Sequence, residues 1–365
     1  MDFTLEPTAA AVRDVADDVM RRLQPDWEST FADTVGGFDH DAWAALAASG
    51  VTVLPLPESV GGDDQRLDAL APLLHRAGHE AVVAPLIGTL VSGLLLADAP
   101  AATDHARALT EGGWHAVAIG ESGRALGQTP TTALTLVDDG IRIDGVKTGV
   151  LAADGAAGIV VVADGGVAFV PTDAPGMRIE RTTSSSGWGE YTVTLDGVTV
   201  PRSSLLADDP HAAIDAYRAA VAAYADGLVA GAVKRTADHV STREQFGRPI
   251  ASFQAVGQQL ADIYVVSRTM NLVATTAAWE LADGRDAAED LATAMYWVAA
   301  ELPATMRTMT HLHGGIGVDV TYPLHRYFSL AKDLARLTGG AHRALGVLAD
   351  LTAPTGTTGG DAACS

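Results

Sequence analysis

Apolar residues recur at helical spacing through the first third of the chain. The first run places five apolar side chains on one helix face: Ala10, Val12, Val15, Val19 and Leu23. Residues three, four and seven apart share one side of a helix. Similar runs predict helices over residues 67–83 and 86–97, after a Pro/Gly turn at 55–62. We therefore predict an N-terminal helical domain over residues 1–112.

Between about residues 114 and 206 the pattern changes to the alternation of strands. Short β-branched segments, separated by Asp/Gly turns, cover residues 133–137, 140–146, 159–162, 167–171 and 191–200. Alternation with period two and turns of this type are typical of antiparallel sheets. The sequence predicts a middle β domain over residues 113–206. A β-barrel and a sandwich both fit the pattern, and we assign a β-barrel.

Helical patterning returns after residue 207. Four long helices are predicted, over residues 212–242, 253–282, 287–311 and 324–337, the last with a continuation at 341–351. They predict a C-terminal four-helix bundle over residues 207–352, followed by a flexible Gly/Thr/Ala-rich tail over 353–365. The predicted fold class is mixed α and β, mainly α.

Composition narrows the possible functions. The 365-residue chain is 48% hydrophobic, enough for a packed core, and carries a formal net charge of -21. An acidic protein has no general field that attracts nucleic acid or anionic membranes, so we predict neither as a partner. A phosphate-bearing ligand would need a local basic or helix-terminal site.

Metal-binding and targeting signals are sparse. The only cysteine is Cys364, which excludes an intrachain disulfide and a cysteine zinc site. His75 and His79 stand one helical turn apart, but without a further ligand in view they predict an ordinary helix face, and we predict no metal. Charged residues interrupt the apolar positions near the start, and no apolar run reaches the roughly 20 residues of a membrane span. We therefore expect a cytoplasmic protein.

Two stretches in the C-terminal helices carry the candidate chemistry. The first, residues 243–254, reads REQFGRPIASFQ, and the second, residues 311–317, reads HLHGGIG. Glycine lets a backbone approach a ligand closely. Together the stretches resemble the acyl-CoA dehydrogenase family, whose R-x-x-F-G-x-x-I-x-x-F-Q segment and Q-x-x-G-G-x-G turn occur in this order. His311 stands here in place of the glutamine.

The resemblance implies a three-part fold, in the order predicted above, and a reaction that uses FAD. Acyl-CoA dehydrogenases oxidise a CoA thioester to the trans-2-enoyl-CoA. A glutamate removes the α-proton while the β-carbon delivers a hydride to the flavin. The two positions at which members carry this glutamate correspond to Thr338 and Tyr217. Neither is a carboxylate, so the resemblance implies no catalytic base in this chain.

The resemblance also assigns cofactor contacts. In the family, the two motifs hold the ADP part of the FAD of a neighbouring subunit. The residues that match this role are Arg243, Phe246, Gln254, His311, Gly314 and Gly315. Arg243 would contact the pyrophosphate, because a charge-assisted bond suits an anion. His311 would donate one hydrogen bond in place of the glutamine.

The flavin pocket of the β domain departs from the family. Gly120-Glu121-Ser122 stands where members have T-E-P, and Thr148-Gly149-Val150 stands where they have W-I-T or F-I-T. The chain thus keeps the residues that contact a neighbour's FAD, but it lacks those that contact its own FAD and it lacks the base. In this combination it resembles the shorter subunit of bacterial α2β2 acyl-CoA dehydrogenases. The resemblance implies FAD shared across a subunit interface, with a longer acyl-CoA dehydrogenase homologue, the α subunit, carrying the glutamate.

It further implies an acyl-CoA substrate, mostly a bulky steroid-derived thioester in this subgroup, and an electron-transfer flavoprotein as acceptor. Three other functions stay open. A self-sufficient homotetrameric dehydrogenase would use another base, for which the candidates are Glu190, Glu121 and Asp319. A flavin monooxygenase of the same fold also dispenses with the glutamate. A binding or scaffold protein without flavin is the third, although the 243–254 motif argues against it.

Overall fold

Among the residues that the structure describes, five α-helices form the N-terminal third of the chain. In the computed structural model, the structure describes residues 5–23, 26–99, 102–138 and 140–353. The helices are α1 (Pro7–Arg22), α2 (His40–Ala48), α3 (Leu67–His79), α4 (Leu86–Ala97) and α5 (Ala102–Thr110). α1 buries one face, as its apolar spacing predicts, whereas the very apolar α4 is buried along most of its length. The tail predicted at 353–365 lies, except for residue 353, outside the described residues.

Eight strands follow within the described ranges, in two sheets of four. They are β1 (His115–Ala118), β2 (Ala133–Val137), β3 (Gly140–Leu151), β4 (Gly158–Ala163), β5 (Gly166–Pro171), β6 (Met177–Thr182), β7 (Glu190–Val200) and β8 (Leu205–Ala207). One sheet has the order β1-β4-β5-β8, with β1 and β4 parallel, and the other is the antiparallel sheet β2-β3-β7-β6. Apolar side chains from both sheets share one core, among them Ile159, Val161, Ile143 and Val193.

The predicted β-barrel is wrong in one respect, because the sheets do not close. Within the described residues, the backbone link between the two sheets is an isolated parallel bridge from Ala133 to Asp164. The chain leaves the first sheet after β1 and crosses through residues 119–132 to the second. In the part of the chain that the structure describes, the strands of the two sheets form no continuous ladder around the core. The two sheets instead pack face to face, as in a sandwich.

The C-terminal part is helical again. Its helices are α6 (His211–Thr242), α7 (Gln254–Ala282), α8 (Ala288–Tyr296), α9 (Leu302–His313), α10 (Leu324–Leu337) and α11 (Ala341–Thr352). A π-helical turn at Trp297–Glu301 joins α8 to α9, so the four long predicted helices are confirmed to within two residues. α11 is a separate helix, because Gly339 and Gly340 between it and α10 both have positive φ.

The N-terminal helices are attached to the bundle through a close contact between α3 and α6. A Cβ placed on Gly227 would lie 1.8 Å from the His75 carbonyl oxygen, and one on Gly78 would lie 2.0 Å from the Tyr224 carbonyl oxygen. Only glycine permits two helix backbones to approach so closely. We propose domain boundaries near residues 112 and 206. The chain changes from helices to strands at the first position and from strands back to helices at the second.

Candidate functional site

The segment after α6 forms a short β-hairpin with a two-residue loop. Its strands β9 (Glu244–Gln245) and β10 (Arg248–Pro249) are joined by Phe246 and Gly247, whose φ angles are 54° and 75°. Positive φ at both central residues is typical of a type I′ turn, whose twist matches that of the flanking strands. The turn holds Phe246 away from the protein, with 93% of its surface exposed.

Arg243 and Gln254 lie on either side of this hairpin. The Arg243 N–H donates to the His239 carbonyl at 2.8 Å, and the Arg243 carbonyl accepts from the Ile250 N–H at 2.8 Å. Gln254 is the first residue of α7, and the Arg243 and Gln254 side chains are both exposed. The structure thus presents Arg243, Phe246 and Gln254 together, on the surface between the end of α6 and the start of α7.

The glycine turn follows α9 directly. Gly314 has φ of 65° and begins a short 3₁₀ turn, Gly314–Val318. A Cβ placed on Gly314 or Gly315 would meet no atom of the described chain within 4 Å, and His311 is exposed beside them. These two glycines are therefore not required by internal packing. They leave an open stretch of backbone that a ligand can approach.

Two histidines that the sequence reasoning missed bring the motifs together. His239, in the last turn of α6, stacks on the buried His313 at the end of α9, with ring centroids 4.3 Å apart and an interplanar angle of 20°. Burial lowers the pKa of both imidazoles, which favours neutral rings that can stack. Because Arg243 follows His239 by four residues and Gly314 follows His313, the stack places the two motifs at the same end of the bundle. The signal in the sequence that could have indicated this stack is His313, a second histidine two residues after His311.

Thr338 and Tyr217, the two positions to which the resemblance assigns the base of other members, are both buried. Thr338, at the end of α10, is fully buried, and its hydroxyl donates to the Ala335 carbonyl at 2.9 Å. Burial raises the pKa of the Tyr217 phenol, with the nearby Glu190 adding to the effect. The Leu126 N–H donates to the Thr338 carbonyl at 3.4 Å. Neither side chain is suited to remove a proton from a substrate near neutral pH.

Glu121, the first of the alternative bases, is part of a buried ion pair. The Lys147 ammonium, itself fully buried, lies 2.7 Å from a Glu121 carboxylate oxygen. Thr131 and Thr132 also donate to this carboxylate through their backbone and hydroxyl groups. Burial raises the pKa of Glu121, but the hydrogen bonds from Lys147, Thr131 and Thr132 outweigh it and lower the pKa to about 2. The carboxylate is therefore a structural anchor with little basicity.

The other two candidate bases are also engaged. Glu190 is buried at the start of β7 and forms a two-pronged ion pair with Arg336 of α10, with Nη1 at 2.7 Å from the nearer oxygen. Asp319 is exposed and accepts from the Thr321 N–H and hydroxyl at 2.9 and 2.8 Å. These bonds lower the Asp319 pKa.

The segments that the resemblance assigns to a flavin pocket do come together in space. A cleft of about 300 Å³ is lined by Gly120–Arg124, Thr148 and Gly149, and by the end of α10 with Gly339 and Gly340. The β domain lies directly against the helix end here, since a Cβ on Gly339 would be 2.7 Å from the Ala125 Cα atom.

The surface formed by the hairpin and the glycine turn fits the diphosphate part of a dinucleotide. It offers a guanidinium group for an anion, an exposed ring for stacking, an amide and an imidazole for hydrogen bonds, and backbone without side chains. A Cβ at Gly314 or Gly315 would occupy the open surface. A ligand resting on this surface would have its other side open to solvent.

Comparison with known proteins identifies the family. Residues 210–348 match the model for the C-terminal domain of acyl-CoA dehydrogenases. Acyl-CoA dehydrogenase FadE28 of Mycobacterium tuberculosis is 42% identical over 351 residues, which cover 94% of this chain and 97% of that protein. The chain belongs to the acyl-CoA dehydrogenase family. Acyl-CoA dehydrogenase FadE27 of the same organism is 29% identical over 367 residues, which cover 93% of this chain and 96% of that protein.

Solved structures agree over nearly the whole chain. The ChsE4-ChsE5 complex from Mycobacterium tuberculosis matches with a TM-score of 0.85 and 28% identity, covering 98% of this chain and 100% of that one. The steroid ACAD Tcur3481-Tcur3483 matches with a TM-score of 0.86 and 33% identity, covering 96% and 99%. These matches confirm the predicted acyl-CoA dehydrogenase fold. The family binds FAD and consists of oxidoreductases that act on a CH–CH bond of an acyl-CoA. In the part of the chain that the structure describes, no helix is long and apolar enough to cross a membrane.

Proposed function

We propose that this chain is the base-less subunit of an FAD-dependent acyl-CoA dehydrogenase, and that a partner chain supplies the catalytic glutamate. One observation carries the proposal: the two positions for the base hold a threonine whose hydroxyl bonds within its own helix and a buried tyrosine with a raised pKa. The three carboxylates considered as substitutes are already held by other groups.

FAD, when bound, accepts the hydride from the β-carbon of the thioester. The residues of this chain would hold the ADP part of the cofactor. Arg243 would donate to the pyrophosphate, and Phe246 would pack on the nucleotide. Gln254 and His311 would donate hydrogen bonds, while the backbone at Gly314 and Gly315 would close on the cofactor. The exposure of all six residues in the isolated chain supports a role toward a cofactor that a second subunit also contacts.

Exposed apolar side chains in three regions support a subunit interface. The large ones are exposed by 44–93% and lie on the hairpin, farther along α7, and in or just after the glycine turn: Phe246, Tyr264, Val265, Ile316, Val318 and Val320. Exposed apolar surface of this kind marks protein–protein contacts, because water is a poor environment for it. We infer that the partner covers this region and completes the cofactor site.

The partner and the substrate follow from the relatives. The ChsE4-ChsE5 structure is a complex of two named chains, and the Tcur3481-Tcur3483 protein is described as a steroid ACAD. By similarity, we propose a longer acyl-CoA dehydrogenase homologue as the α subunit and a bulky, steroid-derived acyl-CoA as substrate. An electron-transfer flavoprotein would then reoxidise the flavin.

Purification of the chain alone, and together with its nearest longer homologue that retains the glutamate, tests the proposal. We expect the chain alone to bind little flavin and the mixture to form a yellow heteromer with about one FAD per two chains. Native mass and the visible flavin spectrum measure both quantities. A yellow homotetramer that desaturates an acyl-CoA without any partner would disprove the subunit role. Oxygen-dependent oxidation of reduced flavin by the chain alone would point to a monooxygenase.

A further inference from the structure

The stack of His239 on His313 connects the hairpin to the glycine turn. The Arg243 N–H donates to the His239 carbonyl at 2.8 Å, so the hairpin starts from the helical turn that carries one of the stacked rings. On the other side, Gly314 follows His313 directly, and its N–H donates to the His311 carbonyl. A shift of either ring would therefore move Arg243 relative to Gly314, the two groups proposed to contact the same cofactor.

The glycine turn also folds back on His313. A Cβ placed on Gly317 would lie 3.0 Å from the His313 Cβ atom and 2.7 Å from the Thr310 carbonyl oxygen. Beyond the turn, the Tyr322 ring packs on the His313 imidazole, with ring centroids 5.4 Å apart. The His313 ring thus contacts the end of α6 and the segment that follows the turn. A displacement of this ring would displace the turn as well.

The buried imidazole is suited to the neutral form. His313 Nδ1 lies 2.9 Å from the Met309 carbonyl oxygen, and because a carbonyl only accepts, Nδ1 carries the hydrogen. Nε2 is buried and has no hydrogen-bond partner among the residues that the structure describes. A proton added at Nε2 would create a charged donor without an acceptor, which costs free energy in the interior.

Nearby positive charge opposes a proton on either ring. Burial lowers the pKa of both imidazoles below 6.5. The charge of Arg243 adds to this effect at His239, and the charge of a protonated His239 adds to it at His313. Two protonated rings in a stack would repel each other, since their centroids are 4.3 Å apart.

The carboxylates around the stack do not offset these charges. Asp238 precedes His239, but its carboxylate pairs with Lys234 at 2.7 Å. Burial raises the pKa of the Tyr322 phenol; Asp238 adds to this and Arg235 opposes it, so the phenol stays neutral near pH 7. Within the described residues, the ion pairs of histidines lie elsewhere in the chain, and neither stacked imidazole takes part in one.

We propose that His239 and His313 are positioning residues for FAD, and that acid weakens FAD binding by opening their stack. The neutral rings hold Arg243 and Gly314 in place for one diphosphate, whereas a proton on either ring separates the two motifs. The stack is complete above about pH 6.5 and weakens as the pH falls below this value, because the free imidazole binds a proton more readily than the stacked one. The inference rests on the proposed function, since it requires that these motifs contact FAD.

The flavin affinity of the heteromer, measured at about pH 7.5 and about pH 5.5, tests the proposal. We expect the wild type to bind FAD about tenfold more weakly at the lower pH, the effect of one proton released on binding over one pH unit. Protonation of His311 cannot cause this loss, because a positive charge beside the diphosphate would strengthen binding. The fluorescence of released flavin measures the affinity.

Three variants separate the stack from its charge. His239→Phe keeps a ring that can stack but cannot be protonated, so FAD should bind nearly as in wild type at the higher pH and lose little affinity at the lower one. His239→Ala removes the stack and should bind FAD several-fold more weakly at both pH values. His211→Phe changes an exposed histidine at the other end of α6; it is the matched control and should keep the pH dependence of wild type.

Hydrogen exchange of the glycine turn gives a readout that needs no flavin. After correction for the intrinsic dependence of exchange on pH, we expect acid to speed the exchange of the Gly314–Val318 amides in the wild-type subunit. The same amides of His239→Phe should show no such change. A role of the histidines in overall stability alone would not produce this difference between the two proteins.

Melting temperatures verify that each variant is folded. Parallel pH curves for wild type and His239→Phe would overturn the inference, and FAD binding at the higher pH would then still support the proposed function. An equal loss of pH dependence in His211→Phe and His239→Phe would also overturn it. A heteromer that binds no flavin at either pH would overturn the proposed function and this inference together.

Discussion

Glu121 shows how a carboxylate that lines a cleft can be held by structural bonds. The Lys147 ammonium lies 2.7 Å from its carboxylate and 3.2 Å from the Ile119 carbonyl, and Lys147 is fully buried. Burial lowers the pKa of Lys147, while Glu121 opposes this effect. Each charge is acceptable in the interior because the other neutralises it.

Replacing the carboxylate should therefore be costly. We expect Glu121→Gln to lower the free energy of unfolding by about 3–5 kcal/mol, because a buried ammonium loses its counter-charge. Urea denaturation followed by circular dichroism measures this. The control Glu111→Gln changes an exposed carboxylate and should stay within about 0.5 kcal/mol of wild type. Equal effects of the two variants would contradict a stabilising ion pair.

The same pair predicts a dependence of stability on pH. The pKa of Glu121 is about 2 in the folded chain, against 4.5 for an ordinary glutamate. Its stabilising contribution is thus complete above about pH 4.5 and disappears as the pH falls toward 2. We expect the melting temperature of wild type to fall over this range more steeply than that of Glu121→Gln. Parallel curves for the two proteins would show that the pair does not contribute.

Arg243 permits a test of the proposed cofactor contact. Arg243→Ala should weaken FAD binding to the heteromer about tenfold or more, because a charge-assisted bond to the pyrophosphate is lost. The melting temperature of the subunit alone should hardly change, since the side chain is exposed. Arg178→Ala, an exposed arginine on β6, is the matched control. Released flavin is measured by its fluorescence, and an unchanged affinity would remove Arg243 from the site.

At the scale of helices, the contact between α3 and α6 depends on single glycines. Gly227→Ala would place a methyl group 1.8 Å from the His75 carbonyl oxygen. We expect a loss of about 1–3 kcal/mol in the free energy of unfolding, because the helices must move apart. Gly346→Ala in α11 is the control: its Cβ would meet no described atom within 4 Å, and it should stabilise by up to about 1 kcal/mol. Thermal denaturation distinguishes these opposite signs.

The helices were predictable because their apolar spacing is local. The interval predicted for α10, residues 324–337, agrees with the observed bounds, and α6 begins one residue earlier than predicted. Closure of the β domain was not predictable, since alternation along a strand does not encode which strands pair at the sheet edges. The motif residues of the candidate site were visible in the sequence. The pairing of Asp226 with His75, 151 residues apart, was not, because it depends on how α3 meets α6.

For the whole molecule, restoring one carboxylate should not restore a catalytic site. Thr338→Glu would place a charge at a fully buried position against the segment Arg124–Gly127. We expect it to lower the melting temperature by more than Thr338→Val does, because the charge has no water around it. We also expect no desaturation of acyl-CoA by the variant alone. Activity without a partner would show that this chain can form a complete site.

The glycine contact between α3 and α6 also sets one dimension of a cleft of about 760 Å³ that α1, α3, α6 and α7 line. His75 is held against Gly227 through its carbonyl and against Asp226 through its ring, so the backbone spacing fixes how far α3 stands from α6 at that point. Because glycine has no side chain, this contact gives the smallest separation that the two helix backbones can have. A relative with a bulkier residue at position 227 would need a wider gap between the helices, and its cleft would admit a broader molecule. The width of the cleft is therefore set in part by a residue outside its lining.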